Sequence, residues 1–176
     1  RVGNNGDVIH ITNFDPSNAL APNSIQSFHF ADGTTLSYDQ LLERGFDIYG
    51  TTGNQTLSGT NLDNRIYAGS GNDTLIGTGA NDTLVAGTGI ATMIGGTGNE
   101  TFVINSAADV IVENPNAASN SVASSISYTI APDMNNLTLT GSDNLTATGN
   151  ALDNVITGNA GNDTLISGGG NDTLIA

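Results

Sequence analysis

The chain has 176 residues and a formal net charge of −14, with Arg1, Arg44 and Arg65 its only cations, so it lacks the basic surface that nucleic acid or an anionic membrane requires. It contains no cysteine and no apolar run of about 18 residues, which excludes a disulfide framework, a thiolate metal site and a membrane-spanning helix. Nine aromatic residues are too few for an ordinary two-layer core, whereas Gly, Asn and Thr at 23, 23 and 22 suit an elongated fold with a thin core.

Residues 1–49 read as a β-rich segment flanking a periodic region that begins at residue 50. Asp7-Val8-Ile9-His10-Ile11 alternates as a strand does, Ile25 to Phe30 repeats the pattern, and Ala31-Asp32-Gly33-Thr34 is a turn signal. Ser37 to Phe46 reads as a short helix with Leu41 and Leu42 on its buried side. Such a segment is placed to cap the open end of a β-stack against edge-to-edge association.

Residues 50–103 divide into six contiguous nonapeptides, 50–58, 59–67, 68–76, 77–85, 86–94 and 95–103. Position 8 of each is apolar: Leu57, Ile66, Leu75, Leu84, Met93 and Phe102. Residues alternate faces along a strand, so position 8 points inward, positions 7 and 9 point outward, and positions 1 to 6 form a turn. Position 9 is also aliphatic in many units (Ile76, Val85, Ile94, Val103, Ile166 and Ile175). This is either plain β-propensity or a stripe covered by another domain or another copy.

The section 104–148 keeps the strand pattern without the Asp-bearing loop. Asp109 to Glu113, Ile126 to Ile130 and Asn136 to Thr140 read as strands, and Asn114 to Ser124 as a surface loop. The expectation is a metal-free continuation joining two repeat blocks. The second block, 149–176, holds units 149–157, 158–166 and 167–175, with Ile156, Leu165 and Leu174 at position 8. Beginning at Arg1 and ending inside a repeat at Ala176, the sequence is expected to be part of something longer.

Asn-Asp-Thr-Leu occurs at 72–75, 81–84, 162–165 and 171–174, each copy preceded by glycines. One isolated Asn-Asp is an ordinary turn, but four in nine-residue register describe a calcium-loaded β-solenoid. Calcium takes six to eight oxygens at about 2.3–2.6 Å from carboxylates, carbonyls and water. A glycine-rich turn can aim several carbonyls at one point, and one carboxylate per turn supplies the charge.

These units resemble the RTX (repeats-in-toxin) nonapeptide, G-G-x-G-x-D-x-U-x, and Asp7 to Phe14 with Phe30 to Thr34 is similar to the segment flanking repeats in haemolysin-type calcium-binding proteins. The resemblance implies an all-β, right-handed parallel β-roll in which two nonapeptides make a coil and units n and n+2 stack. It also implies that position-6 side chains of stacked turns share an ion, aided by carbonyls near positions 2 and 4. Position 6 reads Gln55, Asn64, Asp73, Asp82, Ala91 and Glu100, then Asn154, Asp163 and Asp172. Asp82 is expected to pair with Asn64 and Glu100, Asp73 poorly with Gln55 and Ala91, and Asp172 with Asn154; Asp163 would need a partner beyond this chain. Asp63 and Asp153, one place early, either bind an ion or hold the turn. Gly69, Gly71, Gly77, Gly79, Gly96, Gly98, Gly161, Gly168 and Gly170 are the candidate loop glycines.

No Gly-x-Ser-x-Gly elbow, no phosphate loop and no acid or Cys at metal spacing from His10 or His29 is present, and most of the Asn-x-Ser/Thr sequons are by-products of the repeat. The sequence therefore predicts a non-catalytic, calcium-binding structural module of a secreted bacterial protein, at the cell surface or outside it. Its ligands would be calcium ions, with self-association or docking to other domains left open. A secreted enzyme or toxin with its catalytic domain elsewhere, and an adhesin or surface-layer segment, are the rival parents.

Overall fold

The computed structural model describes residues 15–19, 25–30, 32–113 and 119–176. The predicted strand Asp7 to Ile11, with its His10, lies outside the described residues. The strand expected over Ile25 to Phe30 is β1 (Ser27–His29), which pairs antiparallel with β2 (Thr35–Ser37). Asp32-Gly33 turns the chain between them: the Thr34 N–H donates to Asp32 Oδ1 at 2.8 Å, and Gly33 takes φ +86°, a left-handed conformation that favours glycine. The helix α1 (Tyr38–Leu42) starts at a capping box, in which the Gln40 N–H donates to Ser37 Oγ and the Ser37 N–H to Gln40 Oε1. It buries Leu42 and stops short of Phe46, which opens a strand instead.

From β3 (Phe46–Tyr49) onward the chain winds as a solenoid. Its strands are β4 (Thr56–Ser58), β5 (Asn64–Tyr67), β6 (Asp73–Ile76), β7 (Thr83–Val85), β8 (Ala91–Ile94), β9 (Thr101–Ile104), β10 (Val110–Val112), β11 (Ser121–Ser124), β12 (Tyr128–Thr129), β13 (Asn136–Leu139), β14 (Thr146–Thr148), β15 (Val155–Thr157), β16 (Thr164–Ile166) and β17 (Thr173–Ile175). Odd-numbered strands from β3 to β17 form one parallel sheet of eight. The even ones form the opposite wall in two pieces, β4-β6-β8-β10 and β12-β14-β16. This is a parallel β-roll.

Register obeys the repeat. Arg65 lies opposite Thr83, Thr83 opposite Thr101, and Thr74 opposite Thr92, so two nonapeptides make one coil. Through the middle of the large sheet the offset changes: Thr101 faces Ser121, Ser121 faces Asn136, and Asn136 faces Val155. The coil length adjusts while the ladder continues, because parallel pairing asks only for strand backbone, not for a fixed number of turn residues.

Two segments differ from the sequence expectation. Ser121–Ser124, expected to be loop, is the strand β11, with Val122 and Ser124 buried between β9 and β13. Of the strand expected over Ile126 to Ile130 only Tyr128–Thr129 pairs, although Ile130 is buried. The core is a single file of position-8 side chains. Ile66, Leu75, Leu84, Met93, Phe102 and Ile156 are fully buried and continuous with Val122, Met134, Leu137 and Ala147. At the last coil Leu174 remains 45% exposed, since no coil stacks on it. Among position-9 residues Ile76, Val85, Ile94 and Val103 are half-buried, while Ile166 and Ile175 are exposed. Outside β3 and β5, Tyr49 and Tyr67 stack with ring centroids 4.9 Å apart, beside the Arg65 Nε–Asp47 Oδ1 ion pair at 2.5 Å.

Candidate metal centre

Each turn contributes two side chains that run as ladders along the roll. Position 5 forms the outer ladder: its side-chain oxygen accepts the N–H of the position-5 residue one coil later. Asn54 thus accepts from Asn72 at 2.9 Å, Asn81 from Asn99 at 2.9 Å and Asn144 from Asn162 at 2.8 Å. Asp63 and Asp153 occupy the same rung, accepting from Asn81 at 3.0 Å and Asn171 at 2.7 Å. These two acids hold turns, and each does so with an oxygen that an asparagine supplies elsewhere.

Position 6 forms the inner ladder, running the other way. Its side chain accepts the position-6 N–H of the coil before: Asp73 from Gln55, Asp82 from Asn64 and Asp172 from Asn154, each at 2.8 Å, and Asp163 from Leu145 at 2.9 Å. Asp163 therefore has its partner inside this chain, in a turn whose position 6 is leucine. Sequence reasoning also missed Asp109, which accepts from the Ala91 N–H at 2.9 Å. Counting one nonapeptide onward, to 104–112, puts Asp109 at position 6 and Ile111 at position 8; the missing glycines hid it. Asp109 thus supplies the oxygen rung above Ala91.

Whether the position-2 N–H reaches the position-6 side chain divides the turns into two kinds. In the closed kind the position-2 N–H donates to the position-6 side chain. Thr51 bonds Gln55 (2.6 Å), Thr60 bonds Asn64 (3.1 Å), Asn105 bonds Asp109 (3.2 Å), Asn150 bonds Asn154 (2.9 Å) and Asn159 bonds Asp163 (2.6 Å). In the open kind Asp73 Oδ2, Asp82 Oδ2 and Glu100 Oε2 are buried and accept no hydrogen bond. Buried carboxylate oxygens without partners are expensive unless a cation meets them. Asp82 feels this most: burial pushes its carboxyl up to about 7 against the two hydrogen bonds from Asn64, with the charges of Glu100 and Asp63 adding to the rise. Burial likewise raises Glu100, opposed by the Gly98 N–H, which donates to Oε1 at 3.1 Å.

The open turns have the backbone that such a site needs. Gly69 and Gly71, at positions 2 and 4 before Asp73, take φ +85° and +124°. Thr78 and Ala80, at the same positions before Asp82, take φ +96° and +71°, which is strained for residues bearing a Cβ. The position-1 glycine lies against the carboxylate: a Cβ on Gly77 would stand 2.7 Å from Asp82 Oδ2. Gly96, Gly98, Gly161, Gly168 and Gly170 approach the carbonyls of Thr78, Ala80, Asp143, Asn150 and Leu152, where a Cβ would come within 1.9–2.7 Å of the oxygen. Gly79 has no such neighbour; a Cβ there would meet only Thr97 Oγ1, at 3.8 Å.

Among the described residues no three His, Cys, Asp or Glu side chains converge, so a cation here would draw on backbone carbonyls as well as one or two carboxylates. An all-oxygen set of that kind suits a hard divalent cation with flexible geometry. Also among the described residues, no helix is long and apolar enough to cross a membrane.

Residues 1–40 match the model of the haemolysin-type calcium binding protein related domain. Residues 49–84, 76–111 and 148–176 match the RTX calcium-binding nonapeptide repeat, together more than half of the chain. No curated protein and no solved structure matches the chain. With the period, the stacked parallel coils and the orphaned carboxylates, these matches fix the family: the chain belongs to the RTX calcium-binding nonapeptide repeat proteins, whose β-roll binds Ca2+ as a structural rather than a catalytic unit.

Proposed function

We propose that this chain is a calcium-coupled folding module of a secreted bacterial protein: it stays open where calcium is scarce and closes into the β-roll outside the cell. The observation that carries this reading is that three position-6 side chains, Asp73, Asp82 and Glu100, each keep a buried carboxylate oxygen that accepts no hydrogen bond. Asp82 and Glu100 would hold calcium between stacked turns, with Asn64 beneath; Asp73 would do so on the opposite edge, and Asp172 with Asn154 in the last coil. Carbonyls of the turns around Gly69, Gly71, Gly77, Gly96, Gly98, Gly168 and Gly170 would complete the shell. Calcium would supply charge neutralisation and cross-linking of turns, no more.

The magnitudes favour a switch. At about 1 mM calcium and an affinity of about 0.1 mM, each ion adds roughly 1.4 kcal/mol to the folded state. A few such ions rival the whole stability of a small domain, about 5 kcal/mol at the low end. An export route that threads an unfolded chain through a narrow channel, as type I secretion does, suits such a module. The test is circular dichroism and thermal melting of this chain with a calcium titration. Chelator should abolish much of the β signal and millimolar calcium restore it cooperatively, with magnesium a poor substitute because it demands tight octahedral geometry. An unchanged spectrum and melting temperature in EGTA would refute the proposal.

A further inference from the structure

Three closed turns share a feature that the open ones lack, an asparagine at position 2 whose amide nitrogen reaches the carbonyls of the turn one coil below. Asn150 Nδ2 donates to Ala131 O at 2.7 Å and Met134 O at 2.8 Å, with Pro132 O at 3.4 Å. Asn159 Nδ2 donates to Thr140 O and Asp143 O, both at 3.1 Å. Asn105 Nδ2 donates to Gly87 O at 2.8 Å and Ala86 O at 3.4 Å. A cluster of inward carbonyls with one electropositive group among them is what a bound cation would produce. Here a neutral NH2 stands in its place.

From this we infer that Asn105, Asn150 and Asn159 are built-in replacements for calcium, so that the coils from Asn105 to Asp163 close on one another without metal and ions are confined to the open turns and to Asp172 in the last coil. The inference rests on the calcium reading above and says which turns it governs. Three further observations point the same way. The same asparagines give their backbone N–H to the position-6 side chain, so both oxygens of Asp163 are occupied, by Leu145 and by Asn159. The stretch between is laddered by amides: Asn120 Oδ1 accepts from Glu100 N at 2.8 Å and Asn135 Oδ1 from Asn120 N at 3.1 Å, and Asn154 Nδ2 donates to Asn135 O at 3.1 Å. The position-6 carboxylates that keep a buried oxygen without a hydrogen bond, Asp73, Asp82 and Glu100, all lie before Asn105. By sequence the Gly158–Asp163 turn looks as good a calcium loop as Gly77–Asp82. The two differ at position 2, asparagine against threonine, and in the order of alanine and glycine at positions 3 and 4.

The test uses the whole chain and calcium alone. Hydrogen exchange of the wild type in EGTA should leave β13 to β16 protected while β6 to β9 exchange faster by about tenfold or more, and calcium should slow β6 to β9 selectively. Bound calcium, counted by equilibrium dialysis, should fall for Asp82→Asn and not for Asp163→Asn. Asn159→Gly uncovers the Thr140 and Asp143 carbonyls beside a carboxylate, so it should bind one ion more than wild type and lose protection of β14 and β16 in EGTA. Equal loss of protection in both sections on chelation, or an Asp163→Asn deficit matching that of Asp82→Asn, overturns the amide replacement while leaving the calcium reading standing. Exchange indifferent to calcium everywhere overturns both. Should Asn159→Gly fail to fold even in calcium, the wild-type exchange pattern still decides.

Discussion

Asp82 has one oxygen bonded to both the backbone and the side-chain nitrogen of Asn64 at 2.8 Å, and its other oxygen pressed toward Gly77 with no donor. Its carboxyl lies near 7 instead of the ordinary 3.8, because burial disfavours the charge. Linkage sets the sign of the consequence. A carboxyl whose folded pKa is raised stabilises the metal-free fold below about 4 and loses that contribution as pH climbs to about 7. Calcium needs the ionised form, so its affinity should rise across the same window. Thermal melts in EGTA from pH 4 to 8 should show falling stability, and calcium titrations over that range a falling dissociation constant; a flat pair of profiles would refute the assignment. Asp82 also faces turns on both sides, Asn64 before it and Glu100 after. Asp82→Ala should therefore cost more bound calcium than Glu100→Ala in calorimetry, and equal losses would refute the pairing.

At the scale of the turn and the strand, coils approach one another through missing side chains. A Cβ on Gly89 would stand 1.8 Å from Gly71 O, so Gly89→Ala has to push two coils apart and should cost about 1–3 kcal/mol or more in a melting experiment. Ala80 is the converse case, with φ +71° and a Cβ that penalises it. Ala80→Gly should stabilise the roll by about 1 kcal/mol, read as a higher melting temperature with or without calcium. The strand core was legible in the sequence for a physical reason: an inward side chain recurs once per unit, and any polar residue at Ile66, Leu75 or Phe102 would have been buried. Ser121–Ser124 was not legible, because its small residues are drawn into the sheet by the backbone ladders of β9 and β13 on either side, not by their own bulk. Position 6 gave away the carboxylates. Position 2 decides whether each is closed or open, and neither an Asn nor a Thr there reveals where its amide or N–H will point until the coil below is placed.

The whole molecule carries 17 acids against three cations along a narrow rod, so its metal-free form repels itself. Added sodium chloride should raise the metal-free melting temperature while moving the calcium midpoint to higher concentration, since screening weakens repulsion and ion binding alike. Calcium titrations followed by circular dichroism at low and high salt would check both. The two walls of the rod are unequal. The sheet of odd-numbered strands runs unbroken through eight strands, whereas the facing wall is divided between β10 and β12 into four strands and three. In mechanical terms the molecule is a beam slotted on one side. A bending load that opens the divided wall meets fewer ladder hydrogen bonds at the slot than anywhere else along it, and the same load reversed would compress that gap against an intact spine. The rod should therefore flex in one plane and toward one side, about an axis between β10 and β12, while remaining stiff in extension along its length.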